Sequence, residues 1–133
     1  MAQRFAAAIN ARDLNTLGGL MHEDFTYIDS WREGVVGREI ALEAIALLFE
    51  RDPEFRVEIE DTTFKRPEVL MRGTVHSPYF GGDRRAVWRI VCEGDAIKEW
   101  QSWADGGPPH MTRDLAPDDV RDMAPRAADP PEG

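Results

Sequence analysis

An α+β domain, with helices packed on one face of a curved antiparallel sheet, is the fold class this sequence predicts, and three observations predict it. Apolar residues recur at helical spacing up to about residue 51, then at a spacing of two from Phe55 onward. The helical half is interrupted by one strand-like stretch, Asp24 to Asp29. The second half is cut by turn signals at Lys65-Arg66-Pro67-Glu68, at Pro78 with Gly81-Gly82, and at Glu93-Gly94-Asp95, the punctuation of a meander.

Residues 3 to 12 carry Phe5, Ala8, Ile9 and Arg12 at helical spacing with no Gly or Pro between them, a short first helix. Asp13 is an N-cap for a second helix striped by Leu14, Leu17, Leu20 and Met21. Gly18 and Gly19 weaken it, so it must lean on its neighbours. Gly37 precedes a third helix, Arg38 to Arg51, with Ile40, Ala44, Leu47 and Leu48 on one side and Pro53 past its end. Phe55, Val57, Ile59 and Asp61 then oppose Arg56, Glu58, Glu60 and Thr62, a half-buried strand. Val69 to His76 is the next strand, and Arg84 to Cys92 with Ala96 to Asp105 forms a hairpin.

On the last strand Ile97, Glu99, Gln101, Trp103 and Asp105 share one parity, and Lys98, Trp100, Ser102 and Ala104 the other. With Lys98 toward water the first set faces the interior, unless a bulge reverses part of the assignment. Trp88 and Trp103 then form an aromatic floor for a flat or polycyclic ligand, with Glu99 and Gln101 as polar groups on the wall. Trp100 is expected to fill the core or a dimer interface. Residues 1 to 105 make one domain. Residues 106 to 133 are a Pro-rich acidic tail holding six of the nine prolines. In it Asp114 to Met123 is expected to form a helical turn or two from Pro117, and the last ten or so residues are expected to be disordered. The alternative is a lid over the domain's mouth, anchored by Met111, Leu115, Val120 and Met123.

Sixteen basic against twenty-five acidic residues give a formal charge of −9, which repels phosphate backbones and anionic lipid, so neither nucleic acid nor a membrane is an expected partner. No signal-peptide pattern and no span of about 20 apolar residues opens the chain, which reads as cytoplasmic. The single Cys92 has no partner for an internal disulfide and is expected to be a packed thiol. His22, His76 and His110 lack metal-ligand spacing, and neither glycine pair leads from a strand into a helix, so no metal or cofactor is expected.

The stretch from Asp24 to Gly37 carries the chemistry. Phe25, Tyr27 and Asp29 alternate with Thr26, Ile28 and Ser30, which places two rings and a carboxylate on one face of a strand. If that face lines a hollow interior, Asp29 is desolvated and becomes a proton acceptor near neutral pH. The alternative is that Asp29 closes a turn through backbone hydrogen bonds.

Three segments together carry a resemblance: Arg4 to Leu17; Glu23-Asp24-Phe25 with Asp29 and Gly37-Arg38; and Ala96 to Asp105. They resemble the superfamily of nuclear transport factor 2-like proteins, which includes the ketosteroid isomerases, limonene epoxide hydrolases and polyketide cyclases of the SnoaL type. The resemblance implies a cystatin-like roll: a cone of strongly curved antiparallel sheet wrapped around three N-terminal helices and enclosing one apolar pocket. It also implies a homodimer formed through the sheet. Asp29 falls where a ketosteroid isomerase has its general base. The positions of that enzyme's two oxyanion donors fall at Phe5 and near Ala86, neither of which can donate. Each such donor is worth about 3 to 4 kcal/mol, so steroid isomerisation by that route is not expected.

Electrophilic help must then come from elsewhere, and the candidates are Tyr27, His76 and Tyr79. Dehydratases of the superfamily pair an aspartate with a histidine, which makes Asp29 with His76 a candidate dyad. The plain alternatives are a solvent-facing His76 at a strand end and a core ring for Tyr27. Phe5, Trp31, Arg72, Trp88, Glu99, Gln101, Trp103 and Asp105 are the expected pocket residues. Arg72 with Asp29 and Asp105 imitates, loosely, the Asp-Arg-Asp set of the epoxide hydrolases. The expected function is cofactor-independent proton transfer on a small hydrophobic carbonyl compound, giving isomerisation, cyclisation or dehydration. The competing expectation is a non-catalytic ligand-binding or dimerisation module.

Overall fold

A computed structural model describes residues 1–123 and Pro130. Helices α1 (Ala2–Asn10) and α2 (Leu14–Leu20) lead into β1 (Met21–Ile28) and β2 (Glu33–Val36), followed by α3 (Arg38–Arg51). Strands β3 (Arg56–Lys65), β4 (Glu68–Ser77), β5 (Gly82–Glu93) and β6 (Ala96–Ala104) come next, then α4 (Met111–Leu115) and β7 (Arg121–Asp122). The sheet runs β3-β4-β5-β6-β1-β2-β7. β3 to β6 form the expected meander, and β1 joins it parallel to β6, with Tyr27 opposite Trp100.

Local chemistry sets the helices. Asp13 caps α2, its carboxylate accepting from the Thr16 amide at 3.1 Å and the Thr16 hydroxyl at 2.6 Å. Gly18 explains how a helix of low propensity holds its place: a Cβ there would lie 3.2 Å from Leu42 of α3, so the missing side chain lets the two helices close up. Asn10, at the end of α1, reaches the outermost strand. Its amide donates to Val57 O and accepts from Val57 N, both at 2.8 Å, and so stands in for a neighbouring strand at the edge of β3.

Two bulges decide which side chains face inward. In β3 Ile59 pairs with Gly73 but Asp61 with Arg72, so Glu60 is an extra residue and Asp61 is turned outward. In β6 Ile97 pairs with Cys92 but Glu99 with Val91, so Lys98 is extra. Ile97 faces the core as expected. Beyond the bulge the parity inverts: Trp100, Ser102 and Ala104 face inward, opposite Ile90, Trp88 and Ala86. Glu99, Gln101 and Trp103 lie on the outer face, which corrects the sequence reading of all three.

The core fills the space between the helices and the concave face, around Phe5, Leu17, Phe25, Met71, Ile90 and Ile97. Each fully buried side chain of this size contributes about 1.5 to 3 kcal/mol. Cys92 packs at its edge, partly buried, and burial pushes its thiol pKa up. The outer face carries ion pairs instead: Arg85 with Glu60, Arg89 with Glu68 and Glu99, and Arg72 with Asp61. Among the described residues no helix is long and apolar enough to cross a membrane.

Two elements differ from expectation. Glu33–Val36, assigned to no element from the sequence, forms a hairpin with β1 in which Val35 lies opposite Tyr27; four residues that include a charge and a glycine are too few to show a period. The tail helix is Met111–Leu115 rather than a turn starting at Pro117, because its N-terminal amide has a buried acceptor in the domain. β7 pairs with β2, and the Met123 amide donates to Arg32 O at 2.7 Å. The expected disorder of the last ten residues falls, Pro130 apart, outside the described residues.

Candidate functional site

A cavity of about 130 Å³ lies between the concave face of the sheet and α3. Its floor is apolar, built by Phe5, Phe25, Leu48, Trp88 and Trp100, with the Phe5 ring 4.7 Å from that of Trp100. A cavity of this size, like a 150 Å³ one that takes up benzene, holds roughly one six-membered ring. A polycyclic ligand exceeds it. The polar lining groups are few: Tyr27, Asp29, Ser30, Ser77, Arg84 and Ser102.

Asp29 sits immediately after β1 and is 2 % exposed. Its Oδ1 accepts the amides of Trp31 (2.9 Å) and Glu33 (3.1 Å), and its Oδ2 accepts the amide of Thr112 (3.1 Å). Asp29 thus closes the β1–β2 turn through backbone hydrogen bonds and also lines the cavity. Three N–H donors compensate a charge that burial removes from water. A carboxylate has about four acceptor positions, so the unfilled one is on Oδ2.

Tyr27, two residues earlier on the same face, has its hydroxyl 3.0 Å from Ser102 Oγ, and the same hydroxyl donates to Met111 Sδ at 3.8 Å. Burial pushes the phenol above its ordinary 10.0, the Asp29 charge pushes the same way, and the Ser102 hydrogen bond only partly offsets them. Tyr27 is thus held neutral and available as a hydrogen-bond donor beside a carboxylate.

The tail closes one side of the mouth. Pro108, Pro109, Met111 and Leu115 line the cavity. Trp31, 47 % exposed, clasps this segment: its ring stacks on His110 at 4.3 Å and its indole N–H donates to Pro108 O at 2.8 Å. Glu33 adds hydrogen bonds with His110 (3.1 Å) and Arg113 (2.7 Å). Burial alone would raise the Glu33 pKa, but the hydrogen bonds from His110 and Arg113 and their charges outweigh it and hold it below 4.5.

The expected site residues separate into two groups. Asp29, Tyr27, Phe5 and Trp88 come together in the cavity. The others do not. His76 faces outward on β4, between Glu58 (3.0 Å) and Asp83 (2.9 Å), so the expected dyad with Asp29 is not formed. Tyr79 is 45 % exposed, packed edge-on against Phe80, and it is Phe80 that lines the cavity. Arg72 is on the outer face near Asp61 and Asp105 is exposed past β6, so no Asp-Arg-Asp set surrounds the cavity. Glu99 pairs with Arg89 on the outer face, Gln101 and Trp103 are buried there, and Trp100 takes the floor position expected of Trp103.

Ser102, Thr112 and Arg84 were not anticipated. Ser102 becomes visible only when the Lys98 bulge is known, and Thr112 contributes a backbone amide that leaves no trace in composition. Arg84 shares parity with Ala86 and Trp88, a signal present in the sequence but outweighed by the habit of placing arginine outside.

The profile of the SnoaL-like domain family matches residues 2–100. No curated protein matches the sequence. Among solved structures, the chain is similar to a putative SnoaL-like polyketide cyclase from Shewanella denitrificans, at 19 % identity and a TM-score of 0.70, covering 78 % of this chain and 87 % of that one. It is similar to an epoxide hydrolase of Mycobacterium tuberculosis resembling limonene epoxide hydrolase, at 16 % identity and a TM-score of 0.70, covering 78 % and 79 %. An uncharacterised cystatin-fold protein from Novosphingobium aromaticivorans matches at 27 % identity and a TM-score of 0.66, covering 76 % and 92 %.

Proposed function

We propose that this chain, which belongs to the SnoaL-like domain family, moves a proton next to the carbonyl of a small apolar compound, with Asp29 as the base. One observation carries the reading: Asp29 is the only carboxylate among the described residues lining a largely apolar cavity, and one acceptor position on its Oδ2 remains. Tyr27 supplies a neutral hydroxyl on the same face, suited to donate to a carbonyl oxygen as negative charge grows on it. A proton leaving the carbon α to that carbonyl would pass to Asp29 and leave an enolate, which would take the proton back at another carbon, close onto an electrophilic carbon of the same molecule, or expel a β-hydroxyl that leaves as water with the proton from Asp29. The cavity's volume favours a substrate with one ring or a short branched chain.

A ligand-binding module without turnover is the second reading, favoured by the three amide hydrogen bonds that already give Asp29 a structural task. Exchange of α-protons separates the two. A one-ring ketone such as phenylacetone, incubated in D2O with the wild-type protein, is expected to lose its α-C–H NMR signals faster than in buffer, and the Asp29→Asn protein is expected to lose this acceleration. Asparagine turns an N–H2 toward one of the three amides, so the variant's circular dichroism and melting curve must accompany the assay. Equal exchange in wild type, folded variant and buffer would overturn the base and leave the binding module.

A further inference from the structure

We infer that Arg84 is the recognition group for a carboxylate on the ligand, so that the cavity prefers a one-ring apolar compound that carries an acid group over its neutral counterpart. Arg84 stands on the inward-facing parity at the start of β5, opposite Val75, and both residues line the cavity. Its guanidinium is held in place by backbone alone: Nη1 donates to Asp105 O (3.0 Å) and Gly106 O (2.6 Å), and Nη2 donates to Phe80 O (3.4 Å). Nε is buried and has no hydrogen-bond partner among the described residues.

Two costs are therefore left open at this position. A buried N–H without an acceptor forfeits about 1 to 3 kcal/mol. A permanent positive charge, only partly exposed, has carbonyl dipoles around it but no carboxylate within ion-pair distance among the described residues. Exposed arginines such as Arg4 and Arg66 have water for their charge, whereas the inward arginines' usual partners are acids. Arg85, the next residue, shows the contrast: it faces outward and holds Glu60 at 2.7 Å. With a protein of formal charge −9, the scarcity of an acid at Arg84 is not a matter of supply. A ligand carboxylate in the cavity neutralises the guanidinium, and it accepts from Nε once the side chain shifts to open that buried nitrogen.

Asp29 fixes where such a group can sit. It lines the same cavity and repels a second carboxylate, so the ligand's acid must lie at Arg84 and its apolar ring on the floor of Trp88 and Trp100. The inference rests on the cavity being a ligand site, as proposed above, but not on Asp29 acting as a base.

Calorimetric binding of phenylacetate and of its neutral counterpart phenylacetamide tests it at neutral pH. The wild-type protein is expected to bind the acid roughly tenfold or more tightly than the amide. Arg84→Met, which keeps the stem and removes the charge, is expected to abolish that preference, and Asp29→Asn to keep or enlarge it. Because Arg84 also ties three carbonyls together, the wild-type protein supplies a second readout: its Arg84 ¹⁵Nε–¹H NMR signal is expected to shift on adding phenylacetate and to stay put with phenylacetamide. Equal affinities in wild type, a preference that survives Arg84→Met, an unmoved Nε signal, or no binding of either compound at millimolar concentration would each overturn the assignment. Loss of proton exchange in Asp29→Asn with the acid preference intact separates a failure of this inference from a failure of the proposed reaction.

Discussion

The hydroxyls of Tyr27 and Ser102 meet 3.0 Å apart inside the cavity, on two strands that run parallel to one another. The pairing is possible because β1 joins the meander beside β6, which brings residues 75 positions apart to one wall. Burial at this wall, with the Asp29 charge beside it, raises the phenol's pKa, and the Ser102 hydrogen bond offsets only part of that. In a Tyr79→Phe protein, where Tyr27 is the only remaining tyrosine, tyrosinate absorbance is expected to be absent at pH 10, where a free phenol is half ionised. The folded-state pKa is raised, so this group's contribution to stability is complete below pH 10 and is lost as pH rises through the folded value. Half-ionisation at pH 10 in the folded protein would show an unburied ring.

His76 gives the opposite end of the pH scale a marker. The Glu58 hydrogen bond first, then that of Asp83, raise its pKa above 6.5, against a smaller effect of burial. Its contribution to stability is therefore fully present below pH 6.5 and disappears as pH rises through the folded value. Removing the main partner by Glu58→Gln is expected to move the imidazole NMR titration down toward 6.5, and to flatten the decline in stability over the same window. Catalysis, where measured, should not respond, because this imidazole lies on the face away from the cavity.

Asn10 is expected to matter more than an exposed polar residue at a helix end usually does. Asn10→Ala strips both hydrogen bonds from Val57 at the sheet's edge. A cost of about 1 to 3 kcal/mol follows, read as a fall in the denaturation midpoint. Asn10→Asp keeps the acceptor and loses the donor, and should fall between.

Trp31 is expected to affect traffic rather than stability. Trp31→Ala removes the ring stacked on His110 and the hydrogen bond to Pro108, both at the surface. Faster ligand dissociation and faster proteolysis within residues 106–116 are expected, with the melting temperature nearly unchanged. An unchanged dissociation rate would mean that the segment does not gate the cavity.

Much of the fold was legible because its signals are local. Arg38–Arg51 has the helical bounds its apolar stripe and Pro53 announce, and the meander's strands begin and end within a residue or two of their turn signals. At the site, Phe25, Tyr27 and Asp29 were legible as a set because a regular strand keeps alternate residues on one face. What could not be read depended on distant register. Ser102 and Trp100 are on the wall, and Glu99, Gln101 and Trp103 off it, because one extra residue is absorbed at Lys98. His76 was drawn to Asp29 by its chemistry, yet Glu58 and Asp83 flank it on the outer face. Thr112 reaches Asp29 through a backbone amide 83 positions away, which no side-chain pattern records.

The bulge at Lys98 has a consequence for how such a cavity can change. Straightening the bulge while keeping Lys98 as an ordinary ladder residue would carry Gln101 and Trp103 to the inside and Trp100 and Ser102 to the outside, without altering any letter of the strand, whereas deleting Lys98 would leave the present wall in place. Loss of the bulge in the β5–β6 hairpin would thus act on ligand preference in a single coarse step, exchanging one complete set of wall groups for another, where point substitutions alter the set one member at a time.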